Sequence, residues 1–179
     1  REREEMLSSI NANLSGTCIY RMVYHPDGRM DCSYISPNVT ELIGVPPEAF
    51  RKNGAMAFSV IEPADLPAFR EEVRRTLASG EPAAITVRVR HARGPVVWVQ
   101  FRSRQIERRP DGSQVRDGIA VDITAVKSAE AELRAVRQRL ELALQASCTC
   151  IWDFDVTGRR VTIDSMWQVM RGFPPVVTV

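Results

Sequence analysis

The spacing of apolar positions changes character several times along the chain. Leu7, Ile10 and Leu14 recur at three and four residues and predict a short amphipathic helix over 4–14, broken by Gly16. Residues 18–24 are rich in β-branched and aromatic side chains and stop at Pro26-Asp27-Gly28, which reads as a strand and a turn; residues 30–35 are the returning strand. Ser36-Pro37 opens a short helix, with Ser36 as its cap and Pro37 in its first position, and Gly44 ends it. From Pro63, the residues Leu66, Phe69, Val73 and Leu77 trace one helical face until Gly80, while Arg70, Glu71, Glu72, Arg74 and Arg75 occupy the other. Ile85, Val87 and Val89 then alternate with Thr86, Arg88 and Arg90, a strand with one buried and one wet face. Its partner covers 96–106, after the Arg93-Gly94-Pro95 turn, and a last strand covers 115–123, after Pro110-Asp111-Gly112.

That last strand, with Trp98 before it, gives the sheet apolar side chains on both faces near one end. Ile119, Val121 and Ile123 point one way; Gly118, Ala120 and Asp122, small or polar, point the other. Trp98 is likewise out of phase with Val97, Val99 and Phe101. Something must therefore cover the second face, either the chain's own end helices or another subunit. A helix follows from Thr124, whose hydroxyl is suited to cap it. Val126, Ala129, Leu133, Val136, Leu140, Ala143 and Ser147 recur at alternating steps of three and four, with Glu130, Glu132, Arg134, Arg137 and Arg139 outside the stripe. A helix packed on its own domain would have a period nearer 3.6 residues; the shorter period favours a parallel two-stranded coiled coil, which the small Ala129 and Ala143 weaken.

The plan of residues 18–47 then starts again. Cys18-Ile19-Tyr20, a turn, a second apolar run and Ile43-Gly44-Val45-Pro46-Pro47 are echoed by Cys150-Ile151-Trp152, Thr157-Gly158, Val161-Thr162-Ile163 and Arg171-Gly172-Phe173-Pro174-Pro175. Such self-similarity marks tandem modules. The expected organisation is an N-terminal helix over 1–15, a complete module over 16–123, a linker helix over 124–147 and the start of a second module over 148–179. One module is about 110 to 120 residues, the size of an ordinary domain.

Composition narrows the function classes. The chain is 44% apolar with a formal net charge of +2, its basic and acidic residues interspersed, so no nucleic-acid footprint is expected. Arg102, Arg104, Arg108 and Arg109 read as the wet face of a strand and turn. No run approaches the roughly 18 apolar residues of a membrane span and no leader is recognisable, so no direct membrane contact is expected. The chain begins at Arg1, so an upstream anchor stays open. Cys18, Cys32, Cys148 and Cys150 form no disulfide or zinc pattern and read as free thiols in a reducing, cytoplasmic setting. His25 and His91 sit in no metal-ligand spacing, and no Ser or Cys is placed beside either as a nucleophile would be. No phosphate-binding glycine loop occurs. The chain itself is expected to be non-catalytic.

The order strand, strand, short helices, longer helix, three strands and linker helix resembles a PAS domain of the sensory-box type. Tyr34-Ile35-Ser36-Pro37-Asn38-Val39-Thr40-Glu41-Leu42-Ile43-Gly44 is similar to that family's second strand and following helix. Ile61-Glu62-Pro63-Ala64-Asp65 is similar to the approach to its long helix, with Glu62 where His is common. Gly118-Ile119-Ala120-Val121-Asp122-Ile123-Thr124 resembles its closing strand and the Asp-Ile-Thr signal that joins the sheet to an output helix. The resemblance covers 16–124 and, for the second copy, 148–175.

It implies an α+β fold: a five-stranded antiparallel sheet in the order 2-1-5-4-3, with helices on one face enclosing a cavity. Met22, Tyr24, Cys32, Val87, Val89, Val99, Phe101, Ser103 and Ala120 would line that cavity. Trp98, Ile119 and Val121 on the opposite face, with Leu7, Ile10, Leu14, Val126, Leu133, Val136 and Leu140 on the end helices, would form a homodimer interface. Asp122 and Thr124 would transmit the signal. Haem-binding relatives carry a His on the long helix, and 63–79 has none; flavin-type light sensors carry a reactive Cys after the short helices, and Phe50-Arg51-Lys52-Asn53-Gly54-Ala55 has none. No cofactor is therefore expected, though a small ligand stays open. The resemblance implies a cytoplasmic module of a bacterial two-component or related signalling protein, acting on a histidine kinase or diguanylate cyclase effector in the same polypeptide. A ligand-free dimerisation scaffold is the alternative.

Overall fold

The structure, a computed structural model, describes residues 15–147 and 152–163. The helix expected over 4–14, and with it Leu7, Ile10 and Leu14, lies outside the described residues. So do Cys148, Cys150 and the residues after Ile163. The chain divides into two units, one ending at Lys127 and the other starting at Ser128.

In the first unit, β1 (Thr17–Tyr24) and β2 (Met30–Ile35) form a hairpin. Three short helices follow, α1 (Val39–Ile43), α2 (Pro47–Lys52) and α3 (Met56–Ser59), then the longer α4 (Leu66–Ser79). The chain closes with β3 (Ala83–Arg90), β4 (Val96–Arg108) and β5 (Gln114–Asp122). The five strands make one antiparallel sheet in the order β2-β1-β5-β4-β3. The first strand thus pairs with the last, with Tyr20 opposite Gly118 and Cys18 opposite Ala120. Phe101 lies opposite the same Ala120 from β4.

Local chemistry sets the boundaries. Gly44 and Gly80 both adopt the left-handed conformation, φ 75°, that a side chain disfavours, and their amides close the last turns of α1 and α4 onto the carbonyls of Thr40 and Thr76. Ser36 does not cap α1. Its buried hydroxyl accepts the Ile19 amide at 3.0 Å instead, tying the end of β2 to β1, and the helix starts three residues later. Pro63–Asp65 is a turn, and α4 begins at Leu66. Its inward face runs Leu66, Phe69, Val73 and then Thr76, whose hydroxyl returns to the Glu72 carbonyl, so a polar residue takes the last buried position expected of Leu77.

The core lies between the sheet and the helices. Val87, Val89, Val99 and Cys18 are its most completely buried residues, joined by Phe50, Phe69, Ile35 and Leu42.

In the second unit the chain continues as the remainder of α5 (Thr124–Ala146), which starts at the end of the first, and as a hairpin of β6 (Trp152–Asp155) and β7 (Arg160–Ile163). The helical stripe is open to solvent: Val126, Val136 and Leu140 are exposed, and Leu133 is 70% exposed.

Candidate functional site

Two features of the first unit gather the candidate site residues: a cavity between sheet and helices, and the junction where β5 becomes α5.

The cavity has a volume of about 70 Å³. Alternation along β1 directs Cys18, Tyr20, Met22 and Tyr24 into it, and Phe101 and Ala120 enter from β4 and β5. Ile35, Leu42, Phe50, Phe58 and Phe69 complete the wall from β2 and the helices. The aromatic rings meet edge to face: Phe58 to Phe69 at 5.7 Å, Phe69 to Phe101 at 5.4 Å and Phe101 to Tyr20 at 6.4 Å between centroids. Of the residues expected to line the cavity, Met22, Tyr24, Phe101 and Ala120 do so. Cys32, Val87, Val89 and Val99 are buried in the surrounding core without reaching its wall. Ser103 is half-buried beside Arg116 and receives its Nε at 3.4 Å.

The lining is electrically neutral. Burial pushes the Cys18 thiol up to about 11 and the Tyr24 phenol up to about 12, and raises Tyr20 further. No group of three or more His, Cys, Asp or Glu side chains suited to a metal occurs among the described residues. A volume of about 70 Å³ is well below the roughly 300 Å³ at which sites for drug-sized ligands begin, and a haem or flavin is larger still.

One buried residue escaped the sequence reading. Arg116, 2% exposed, lies on the cavity-side face of β5 and donates to the carbonyls of Thr76 at 3.0 Å and Glu81 at 2.7 Å. Next to it, the Gln114 side-chain amide donates to the Leu77 carbonyl at 2.9 Å. The two side chains thus bind carbonyls in the last turn of α4 and just beyond it, that of Thr76 being shared with the Gly80 amide, and a cation there also suits the helix dipole. Desolvation lowers the pKa of Arg116 from its ordinary value.

At the junction, Trp98 of β4 and the start of α5 exchange hydrogen bonds. The Ile123 amide donates to the Trp98 carbonyl at 2.8 Å, and the Trp98 amide donates to the Thr124 hydroxyl at 2.9 Å. The expected roles are therefore redistributed. Thr124 does not cap the helix through its hydroxyl, which is engaged by β4; the Asp122 carboxylate accepts the Thr124 amide at 2.7 Å instead. Asp122 is also held by its own amide, which donates to the Gly16 carbonyl at 2.8 Å. Around this point the outer sheet face carries exposed Ile119 and half-buried Trp98, Val121 and Ile123, with the Arg88 guanidinium 5.7 Å above the Trp98 ring.

Residues 33–119 match the family model described as the PAS fold. The chain is similar to the crystal structure of a sensory box histidine kinase/response regulator from Burkholderia thailandensis, at 21% identity and TM-score 0.55, covering 78% of this chain and 98% of that one. It is similar to the N-terminal domain of a diguanylate cyclase with PAS/PAC sensor from Marinobacter aquaeolei, at 17% identity and TM-score 0.52, over 61% and 98% of the two chains. It is also similar to a PAS domain from Colwellia psychrerythraea, at 16% identity and TM-score 0.53, over 70% and 99%. No curated protein matches the chain. At these identities the structural likeness establishes the fold, and the sheet of residues 17–122 with its helices is a PAS-fold domain.

Proposed function

We propose that this chain is a sensory module. It takes a small uncharged ligand or a partner and passes a conformational bias through α5 to an effector in the same polypeptide, a histidine kinase or diguanylate cyclase. The observation that carries this reading is the β4–β5–α5 junction. The first turn of α5 is hydrogen-bonded both to the strand it leaves and to Trp98 on the neighbouring strand, so a shift of the sheet cannot leave the helix start unmoved. The exposed stripe of Val126, Leu133, Val136 and Leu140 supports a parallel homodimer, to which Trp98, Ile119 and Val121 would add the sheet face. In this reading the module is not itself catalytic, works in the cytoplasm and binds no nucleic acid, and the hairpin β6–β7 opens a second copy. No helix among the described residues is long and apolar enough to cross a membrane.

The test uses insertions near Arg137 in the full-length protein. Seven residues keep the helical stripe in phase, whereas four rotate it by about half a heptad. Regulation of the effector should survive the first and be locked or inverted by the second. Equal responsiveness after both would make α5 a passive tether. A second reading, a ligand-free dimerisation scaffold, is favoured by the same small cavity, about 70 Å³ walled by bulky rings. Native mass spectrometry of protein purified from cells separates the two by the presence of a retained small molecule.

A further inference from the structure

Tyr20 holds an unusual seat. It lies directly across the β1–β5 ladder from Gly118, and its ring covers the bare backbone there. A Cβ at position 118 would fall inside the ring's van der Waals envelope, 2.6 Å from Cε2. Gly118 does not have a positive φ, so its backbone is open to any residue; the ring is what demands glycine. The Tyr20 hydroxyl stands beside Ser103, which is itself fixed by Arg116. The ring edge meets Phe101, and the ring forms part of the cavity wall.

We infer that Tyr20, seated on Gly118, sets the upper size of what the cavity admits, restricting it to uncharged apolar molecules smaller than a benzene ring. This rests on the reading of the domain as a ligand-binding module. A cavity of about 70 Å³ holds a few water-sized atoms, and is less than half the roughly 150 Å³ that accepts benzene in an engineered core. The chemistry of the wall fits that class. Its thiol and phenols keep their protons at neutral pH, and the Arg116 guanidinium is turned to the Thr76 and Glu81 carbonyls rather than to an anion. Removing the Tyr20 ring would add to the cavity the space that the ring now fills over Gly118.

The experiment uses the whole chain, with xenon, benzene and indole as probes, followed by xenon and ligand-observed NMR. Wild type and Tyr20→Phe should take up xenon and show no saturable benzene or indole binding. Tyr20→Ala, which removes the whole ring, should bind benzene at least about tenfold more tightly than wild type. Gly118→Ala, which pushes the ring off the β5 backbone without removing it, should lower xenon uptake in a protein that still folds, and it serves if Tyr20→Ala does not fold; unchanged uptake there would count against the seat on Gly118. Benzene binding by wild type equal to that by Tyr20→Ala would remove Tyr20 as the size limit while leaving the ligand-binding reading in place. Absence of xenon uptake by every folded variant would overturn both.

Discussion

Two hairpins in this chain follow the same sequence plan and end in opposite environments. In β1–β2, Cys18, Met22, Cys32 and Ile35 point inward and are all nearly inaccessible. In β6–β7, Trp152 pairs with Ile163 and Phe154 with Val161, so the apolar residues again share one face, yet Trp152 is 66% and Phe154 48% exposed. The turns are comparably well made. The Asp27 side chain accepts the Arg29 amide at 2.9 Å, and the Asp155 side chain accepts the amides of Thr157 and Gly158, each at 3.0 Å. Turn chemistry therefore does not separate the two. What separates them is the rest of the domain: helices over one face, β5 along the edge of β1, and His25, whose ring bridges Asp31 at 2.7 Å and Ser113 at 3.1 Å to pin the first hairpin to the β4–β5 turn. A two-stranded ribbon alone is marginal in water, and its alternating pattern is a requirement for a partner layer rather than a source of stability.

The largest test of this contrast is Met22→Ala. Truncation of a buried methionine should cost about 2 to 5 kcal/mol in urea unfolding; a loss below about 1 kcal/mol would mean that burial is not what distinguishes the first hairpin. A smaller effect comes from Cys18. Its thiol is raised from the ordinary 9.0 to about 11 by burial, so the folded protein keeps a proton that the unfolded chain releases near pH 9. The stabilisation is complete below that pH and is lost as pH rises toward 11. Between pH 8 and 10 the denaturation midpoint should fall more steeply for wild type than for Cys18→Ala, by an amount on the order of 1 kcal/mol at the upper end. Parallel pH profiles would show the thiol to be effectively solvated. The smallest effect is expected at Phe154→Ala, within about 0.5 kcal/mol of wild type. A loss above about 1.5 kcal/mol there would reveal a layer already covering the second hairpin.

Much of this architecture is legible in the residues. The strand pattern, the glycine stops at Gly44 and Gly80 and the order of elements all point to the sheet that forms. The cavity is harder to read, because alternation reports which face a residue takes but not how deep it lies. Val87, Val89 and Val99 share the inward face with Phe101, yet close-pack in the core away from the hollow. The phase that placed Met22 and Tyr24 inward also includes Cys18 and Tyr20, so that signal was present and unused. Arg116 had no such signal. An arginine in a strand reads as wet, and its burial depends on the α4 carbonyls supplied by a segment about 40 residues away in sequence. The exchange of roles between Asp122 and Thr124 follows from Trp98, whose amide claims the Thr124 hydroxyl from a neighbouring strand.

The pairing of β1 with β5 has a consequence for the order of events during synthesis. The hairpin β1–β2 leaves the ribosome first, but its inner edge stays open until β5 has been made. From Tyr24 to Gln114 that is a wait of roughly 5 to 20 s at ordinary elongation rates of about 5–20 residues per second. Through that interval the nascent first hairpin is in the same condition as β6–β7, with its apolar side chains wet and its strand edge unpaired. Codon usage or chaperone contact between residues 25 and 113 would act on that interval, and with it on the yield of folded protein.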